Sequence, residues 1–157
     1  MGRSSRQAEG GKEEGWGEVN VFISHSWAYS GHYDRLAEWI FDEVWSVDNQ
    51  RIYFANTSVP RDNPIHFAPN DAALQSAIYE RIINSHVVVI PTGMYANHSK
   101  WIGKEIAGAK YYGRPIVAVD PWAQKRASSV VVDAADEAVG WNKQSIISAV
   151  WRLGNGR

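Results

Sequence analysis

The stretch Val19–Trp27, Val-Asn-Val-Phe-Ile-Ser-His-Ser-Trp, constrains this chain more than any other. Its first half is short, apolar, β-branched and aromatic. That suits a strand buried on both faces, although periodicity alone leaves a buried helical segment open. Its second half turns polar at Ser24. In an open parallel sheet, ligands collect beyond the carboxyl ends of the strands, so Ser24, His25, Ser26 and Trp27 stand where a site would be lined. A plain strand-to-helix loop, with Ser24 and Ser26 as helix caps, accounts for the same residues.

Similar runs recur along the chain. His86–Pro91, with Val87-Val88-Val89-Ile90, reads as the strongest and most central strand. Arg51–Ala55, Arg114–Asp120 and Ser128–Ala134 read as shorter strands. Between them lie helical patterns. Leu36, Trp39, Ile40, Val44 and Trp45 mark a helix over His32–Val47, with Ser30 placed to cap it. Leu74, Ile78 and Ile82 mark a second, capped by Asn70 or Asp71. Ser99 caps a third, which runs to about Tyr112 and ends at Gly113. Asn142 caps a closing helix whose apolar side is Ile146, Ile147, Val150, Trp151 and Leu153. This alternation implies a flavodoxin-like three-layer α/β fold, a five-stranded parallel sheet with helices on both faces.

The polar and charged segment Met1–Gly17 buries too little apolar surface to offset its ordering entropy and reads as a disordered tail, leaving 18–157 as one domain. Asn56–Asn70, with Pro60, Pro64 and Pro69, reads as a long loop of the kind that is more often functional than neutral.

Composition narrows the function classes. A net charge of -1 leaves no electrostatic footprint for nucleic acid or an anionic membrane. The absence of cysteine excludes disulfides and thiolate metal sites and fits a reducing, cytoplasmic setting. No apolar run is long enough to span a bilayer or to act as a leader. The five histidines show no compact ligand spacing, so no metal site is expected. No Gly-x-Gly-x-x-Gly follows the first strand, and no Gly-Lys-Ser/Thr or Gly-x-Ser-x-Gly occurs, which argues against a dinucleotide-binding Rossmann domain, a P-loop enzyme and a serine hydrolase elbow.

Ser99-Lys100-Trp101-Ile102-Gly103-Lys104-Glu105 remains. Trp101 and Glu105 are four apart and share a helix face. If that helix starts beyond the central strand, Glu105 overlooks the carboxyl edge of the sheet, where a carboxylate can stabilise a developing cation or act as a base. An exposed helix glutamate paired with Lys100 or Lys104 fits the spacing equally. His25 is a site residue or a hydrogen-bonded loop histidine, and Trp101 a ligand contact or a packing residue. Trp122, Trp141 and Trp151 are assigned to the core or to subunit contacts.

Phe-Ile-Ser-His-Ser-Trp on the first strand, a Pro-rich second loop, Val-Val-Val-Ile-Pro on the central strand, Ser-Lys-Trp-Ile-x-x-Glu-Ile, and Val139-Gly140-Trp141-Asn142 before Ser145-Ile146-Ile147 together resemble the TIR-like family. Within it they look most like the branch of Thoeris antiphage defence. The resemblance spans Val19–Leu153. It implies a flavodoxin-like fold and cleavage of the nicotinamide glycosidic bond of NAD, with a cyclic or conjugated ADP-ribose second messenger as product. NAD would be substrate, with no resident cofactor. Glu105 maps to the catalytic glutamate. Phe22, Ser24, His25, Ser26 and Trp27 map to the nucleotide-contacting loop, and Asn56, Thr57 and Ser58 to the second loop. Trp101 joins the substrate contacts as a stacking residue, and Arg61 or Lys100 is left to hold phosphate. The implied partners are NAD, further copies of the chain in a homo-oligomer, and a separate effector protein reached through the diffusible signal, with no nucleic acid and no membrane. The rival readings are a non-catalytic TIR-like assembly module and a nucleotide-binding flavodoxin-like protein that does not cleave NAD.

Overall fold

The chain forms one mostly parallel sheet with helices on both sides. The computed structural model describes residues 17–27, 31–47, 49–60, 70–93, 95–120 and 129–156, and the side chains of Trp27 and of 95–98 are not among what it describes. The expectations for the tail before Gly17, for Ser30, Arg61 and Trp122, and for most of the Asn56–Asn70 loop lie outside those residues. The strands are β1 (Gly17–Ile23), β2 (Trp45–Val47), β3 (Gln50–Asn56), β4 (Val87–Pro91), β5 (Ile116–Asp120) and β6 (Glu137–Gly140). The helices are α1 (Gly31–Phe41), α2 (Asp71–Ile83), α3 (Tyr95–Tyr111), α4 (Ser129–Ala134) and α5 (Lys143–Asn155), with a one-turn 3-10 helix at His25–Trp27.

The strand order is β2-β3-β1-β4-β5-β6. Without the antiparallel edge strand β2, the five parallel strands follow the flavodoxin-like order. The order reverses between β1 and β4, so the crevice beyond their carboxyl ends is the topological switch point.

Strand alternation divides the core in two. Val19, Val21, Ile23, Val87, Val89, Val117 and Val119 face α1 and α5. Phe22, Val88, Ile90, Ile116 and Ala118 face α2, α3 and α4, where they meet Leu74, Ile78, Ile82 and Ile102. All five residues of β4 are buried, as expected of a central parallel strand.

The caps of α2 and α5 follow the sequence. Asn70 Oδ1 accepts the Ala73 N–H at 2.8 Å, and Asn142 Oδ1 accepts the Ser145 N–H at 2.9 Å. Gly113 ends α3 at φ 67°, the left-handed conformation that glycine takes without steric penalty.

Four expectations are corrected. The helix expected over His32–Val47 stops at Phe41, and Trp45–Val47 instead pairs antiparallel with Gln50–Ile52, giving a sixth strand. Asn49 at φ 63° makes that tight reversal, and the Trp45 indole N–H donates to the Trp39 carbonyl at 3.1 Å, occupying one of the acceptors left open where α1 ends. Ser129–Ala134 is a helix, not a strand. Its three valines have β propensity, yet Val131 is buried on the side of the helix that packs on α3 and β5 while Val130 and Val132 are exposed, and Glu137–Gly140 takes the place beside β5. Ser99 lies inside α3 rather than at its start. Gly17, assigned to the tail, pairs with Ile52 as the first residue of β1.

Helix α5 approaches β1 closely at Gly154, where a Cβ would stand 2.5 Å from Val19 Cγ1. Val19 is fully buried and β-branched, so it has little room to yield. Gly154→Val is expected to lower stability by about 2 kcal/mol or more through overpacking, read as a fall in the urea midpoint at unchanged slope.

Candidate functional site

The polar residues after β1 and a carboxyl group from α3 meet beyond the carboxyl ends of β1 and β4. Ser24 continues β1 by one hydrogen bond, its N–H donating to the Val89 carbonyl at 2.8 Å. The chain then tightens into the turn His25–Trp27. Ser24 Oγ organises that turn: it accepts the Ser26 N–H at 3.1 Å and shares a hydrogen bond with Ser26 Oγ at 2.8 Å. Ser24, His25 and Ser26 are all buried.

Helix α3 begins after β4 and lies across that turn. Trp101 and Glu105 occupy the face that meets it, as their spacing predicts. The Trp101 ring packs on the His25 ring with centroids 4.4 Å apart and planes 37° from parallel. One helical turn on, Glu105 Oε2 accepts the His25 backbone N–H at 3.0 Å. The Glu105 side chain is fully buried, and among the described residues Oε1 has no hydrogen-bond partner. Burial pushes its pKa up from the ordinary 4.5 to about 7, opposed in part by the nearby Ser24 hydroxyl and by the His25 N–H. The result is a carboxyl group poised near neutrality, half ionised where most side-chain carboxyls are fully so.

Thr92, which the sequence analysis does not single out, is buried one residue beyond the end of β4. Its N–H donates to the Val119 carbonyl at 2.9 Å, and its hydroxyl has no partner among the described residues. The available signal was its parity with Val88 and Ile90, which face α3.

The remaining candidates separate by position. Phe22 is fully buried in the core between the sheet and α2–α3, beneath the turn. Ser58 is buried, and its hydroxyl accepts the Ile23 N–H at 2.8 Å, taking the place of a strand carbonyl where β3 has ended. Asn56 pairs in register with Val21, which also pairs with Val87, so it stands level with the first residue of β4, at the other end of that strand from Thr92. Its Oδ1 accepts the Ser58 N–H at 2.9 Å, and it lines a separate cavity with Thr57, Glu80, Arg81 and Asn84. The structure therefore brings together Ser24, His25, Ser26, Trp101 and Glu105, and sets Asn56 apart. Lys100 forms an exposed ion pair with Asp71 at 2.9 Å, linking α3 to the start of α2. Among the described residues no three His, Asp or Glu side chains are grouped to hold a metal ion, and no helix is long and apolar enough to cross a membrane.

The family model for the TIR-like domain of Thoeris protein ThsB matches residues 22–126, from Phe22 through β4, α3 and β5. The chain belongs to that family. Membership places this TIR-like domain in Thoeris antiphage defence. The match takes in the turn after β1, Thr92 and Glu105, and ends before β6 and α5 of the same domain. No curated protein matches the chain.

Two outcomes follow from the geometry. Between about pH 4.5 and 7 the unfolded chain gives up the Glu105 proton while the folded domain keeps it, so stability falls as pH rises through that window. The contribution is full below pH 4.5 and gone above 7, about 3 kcal/mol at roughly 1.4 kcal/mol per pH unit. Glu105→Gln is expected to remove this slope, measured by urea unfolding of both proteins across the window. Ser58→Ala leaves the buried Ile23 N–H without an acceptor and is expected to cost about 1–3 kcal/mol, seen in the same unfolding measurement at a single pH.

Proposed function

We propose that this TIR-like domain is an NAD-consuming enzyme that cleaves the nicotinamide glycosidic bond and makes an ADP-ribose-derived second messenger, cyclic or conjugated, that switches on a separate defence effector. One observation carries the reading: a fully buried carboxyl group, Glu105, held against the turn after β1 at the switch point of a parallel sheet. A carboxyl is costly to bury, and a site that uses it gives a reason to keep it there.

Breaking the bond between the ribose carbon and the pyridinium nitrogen sends the electron pair to nitrogen, so nicotinamide leaves neutral. The ribose then carries oxocarbenium character. Nicotinamide needs no protonation to leave, so the demand on the protein is to stabilise that cation, as carboxylates do in glycoside hydrolysis. Glu105 in its ionised form is the catalytic residue for this role. The cationic pyridinium ring of bound NAD further favours that form. His25 and Trp101 form the aromatic wall beside it, suited to stacking on a nicotinamide or adenine ring. Ser24 and Ser26 keep the turn in shape and hold the His25 N–H on the carboxyl. The intermediate is captured by water or by a nucleophile of the ADP-ribose itself, the second route giving a cyclic product. Because Glu105 is covered, the substrate must displace part of the cover, and His25, packed on Trp101 of α3, is the part carried by the turn after β1.

The rival reading, a non-catalytic assembly module, draws on exposed apolar side chains such as Tyr111 and Ile83. Such a module has no use for a carboxyl buried at the carboxyl edge of the sheet, which favours the enzyme.

The test is nicotinamide release from NAD by the pure protein, in plain buffer and with extract of phage-infected cells. Wild type is expected to release nicotinamide, with a rate that climbs through about pH 7 as Glu105 ionises. Glu105→Gln keeps the acceptor for the His25 N–H and is expected to lose about 10²–10³ of the rate. Absence of release by the wild type under both conditions overturns the reading.

A further inference from the structure

Two buried oxygen atoms at the switch point have no hydrogen-bond partner among the described residues, Glu105 Oε1 and Thr92 Oγ1. Glu105 is 0% and Thr92 2% exposed. Native proteins rarely leave such atoms unpaired, because each forfeits its bonds to water without replacement. Where they occur, they mark a place that something else fills.

Both belong to the same side of the sheet. Along β4, Val88 and Ile90 face α3, so strand alternation sends Thr92 to that side, and its N–H···Val119 bond keeps the backbone in the sheet's ladder. Along β1, Phe22 faces α3 and the same alternation carries Ser24 there. Glu105 descends to this region from α3 itself. The carboxyl ends of the two central strands and the overlying helix thus each contribute one buried polar side chain to a single layer.

The chemistry of the pair selects the ligand. A carboxyl oxygen accepts hydrogen bonds and repels anions, which excludes phosphate. A threonine hydroxyl both donates and accepts. A sugar meets both demands, since its hydroxyls donate to the carboxyl and accept from the threonine. We infer that Thr92 is a substrate contact of this enzyme, its hydroxyl bonding a ribose hydroxyl of NAD next to Glu105. The inference rests on the NAD-cleaving reading and adds a residue to it.

Thr92→Val and Thr92→Ser separate this role from a structural one. The measurements are KM and kcat for nicotinamide release, and the thermal midpoint without ligand. Valine has the shape of threonine and removes a buried hydroxyl that has no partner among the described residues. Thr92→Val is therefore expected to keep or raise the midpoint while KM for NAD rises about tenfold, the size of one lost hydrogen bond. Thr92→Ser keeps the hydroxyl and is expected to hold KM within about twofold of wild type on the same grounds. A Thr92→Val midpoint that falls and is restored by Thr92→Ser shows a hydroxyl bonded within the fold and overturns the contact, whatever the KM. Unchanged KM in Thr92→Val, with wild-type turnover intact, overturns the contact and leaves the enzyme reading standing. No turnover by the wild type in buffer or with infected-cell extract removes the enzyme reading and the contact with it.

Discussion

The hydrogen bond from the His25 backbone N–H to the Glu105 carboxyl joins the two central parts of this domain, the turn after β1 and the helix after β4. An uncharged side chain there would pack with less penalty. A carboxyl buried in that layer survives because it is partly neutral near pH 7 and because the turn presents it with a fixed donor. Ser24 fixes that donor by bonding Ser26 and shaping the turn. The His25–Trp101 ring contact then closes the same junction from the side.

The sheet makes this junction possible. Parallel strands send every crossover to the opposite edge, so the loops after β1 and β4 necessarily emerge together at the carboxyl edge. The strand order diverges between those two strands, which leaves space there that no connection crosses. Two-residue periodicity then decides which side chains enter the space. The alternation that buries Phe22, Val88 and Ile90 against α3 carries Ser24 and Thr92 to the same face once the strands turn polar. A one-residue shift of either strand would send them to the α1 and α5 side.

Long, strongly patterned segments were legible from composition and spacing. The all-apolar β4, the capped helices α2 and α5, and the pairing of Trp101 with Glu105 on one helix face needed no tertiary information. Short segments were not. Trp45–Val47 continues the helical spacing of α1 and is a strand only because a tight turn returns the chain onto it. Val130–Val132 has the composition of a strand and is helical because one valine is buried on the side that packs on α3 and β5 while its neighbours face water. Over so few residues intrinsic preference amounts to little, and pairing or packing outweighs it. The second loop shows the same limit within the site. Its polar residues read alike in sequence, but Ser58 is consumed in continuing the sheet and Asn56 faces a different cavity, because β3 ends two rungs before β1 does.

The amino-acid order alone determined that this chain is an alternating α/β domain, which strands are central, and that a Ser-His-Ser-Trp turn and a Trp-x-x-x-Glu helix face are its chemically distinctive features. These are properties of periodicity and residue type, which act over a few residues. Only the tertiary structure decided that Glu105 is buried rather than solvated, that its partner is a backbone N–H rather than a neighbouring lysine, and that Thr92 is buried beyond β4. Those facts depend on how far β1, β4 and α3 lie from one another, and distance between segments remote in sequence is set by packing.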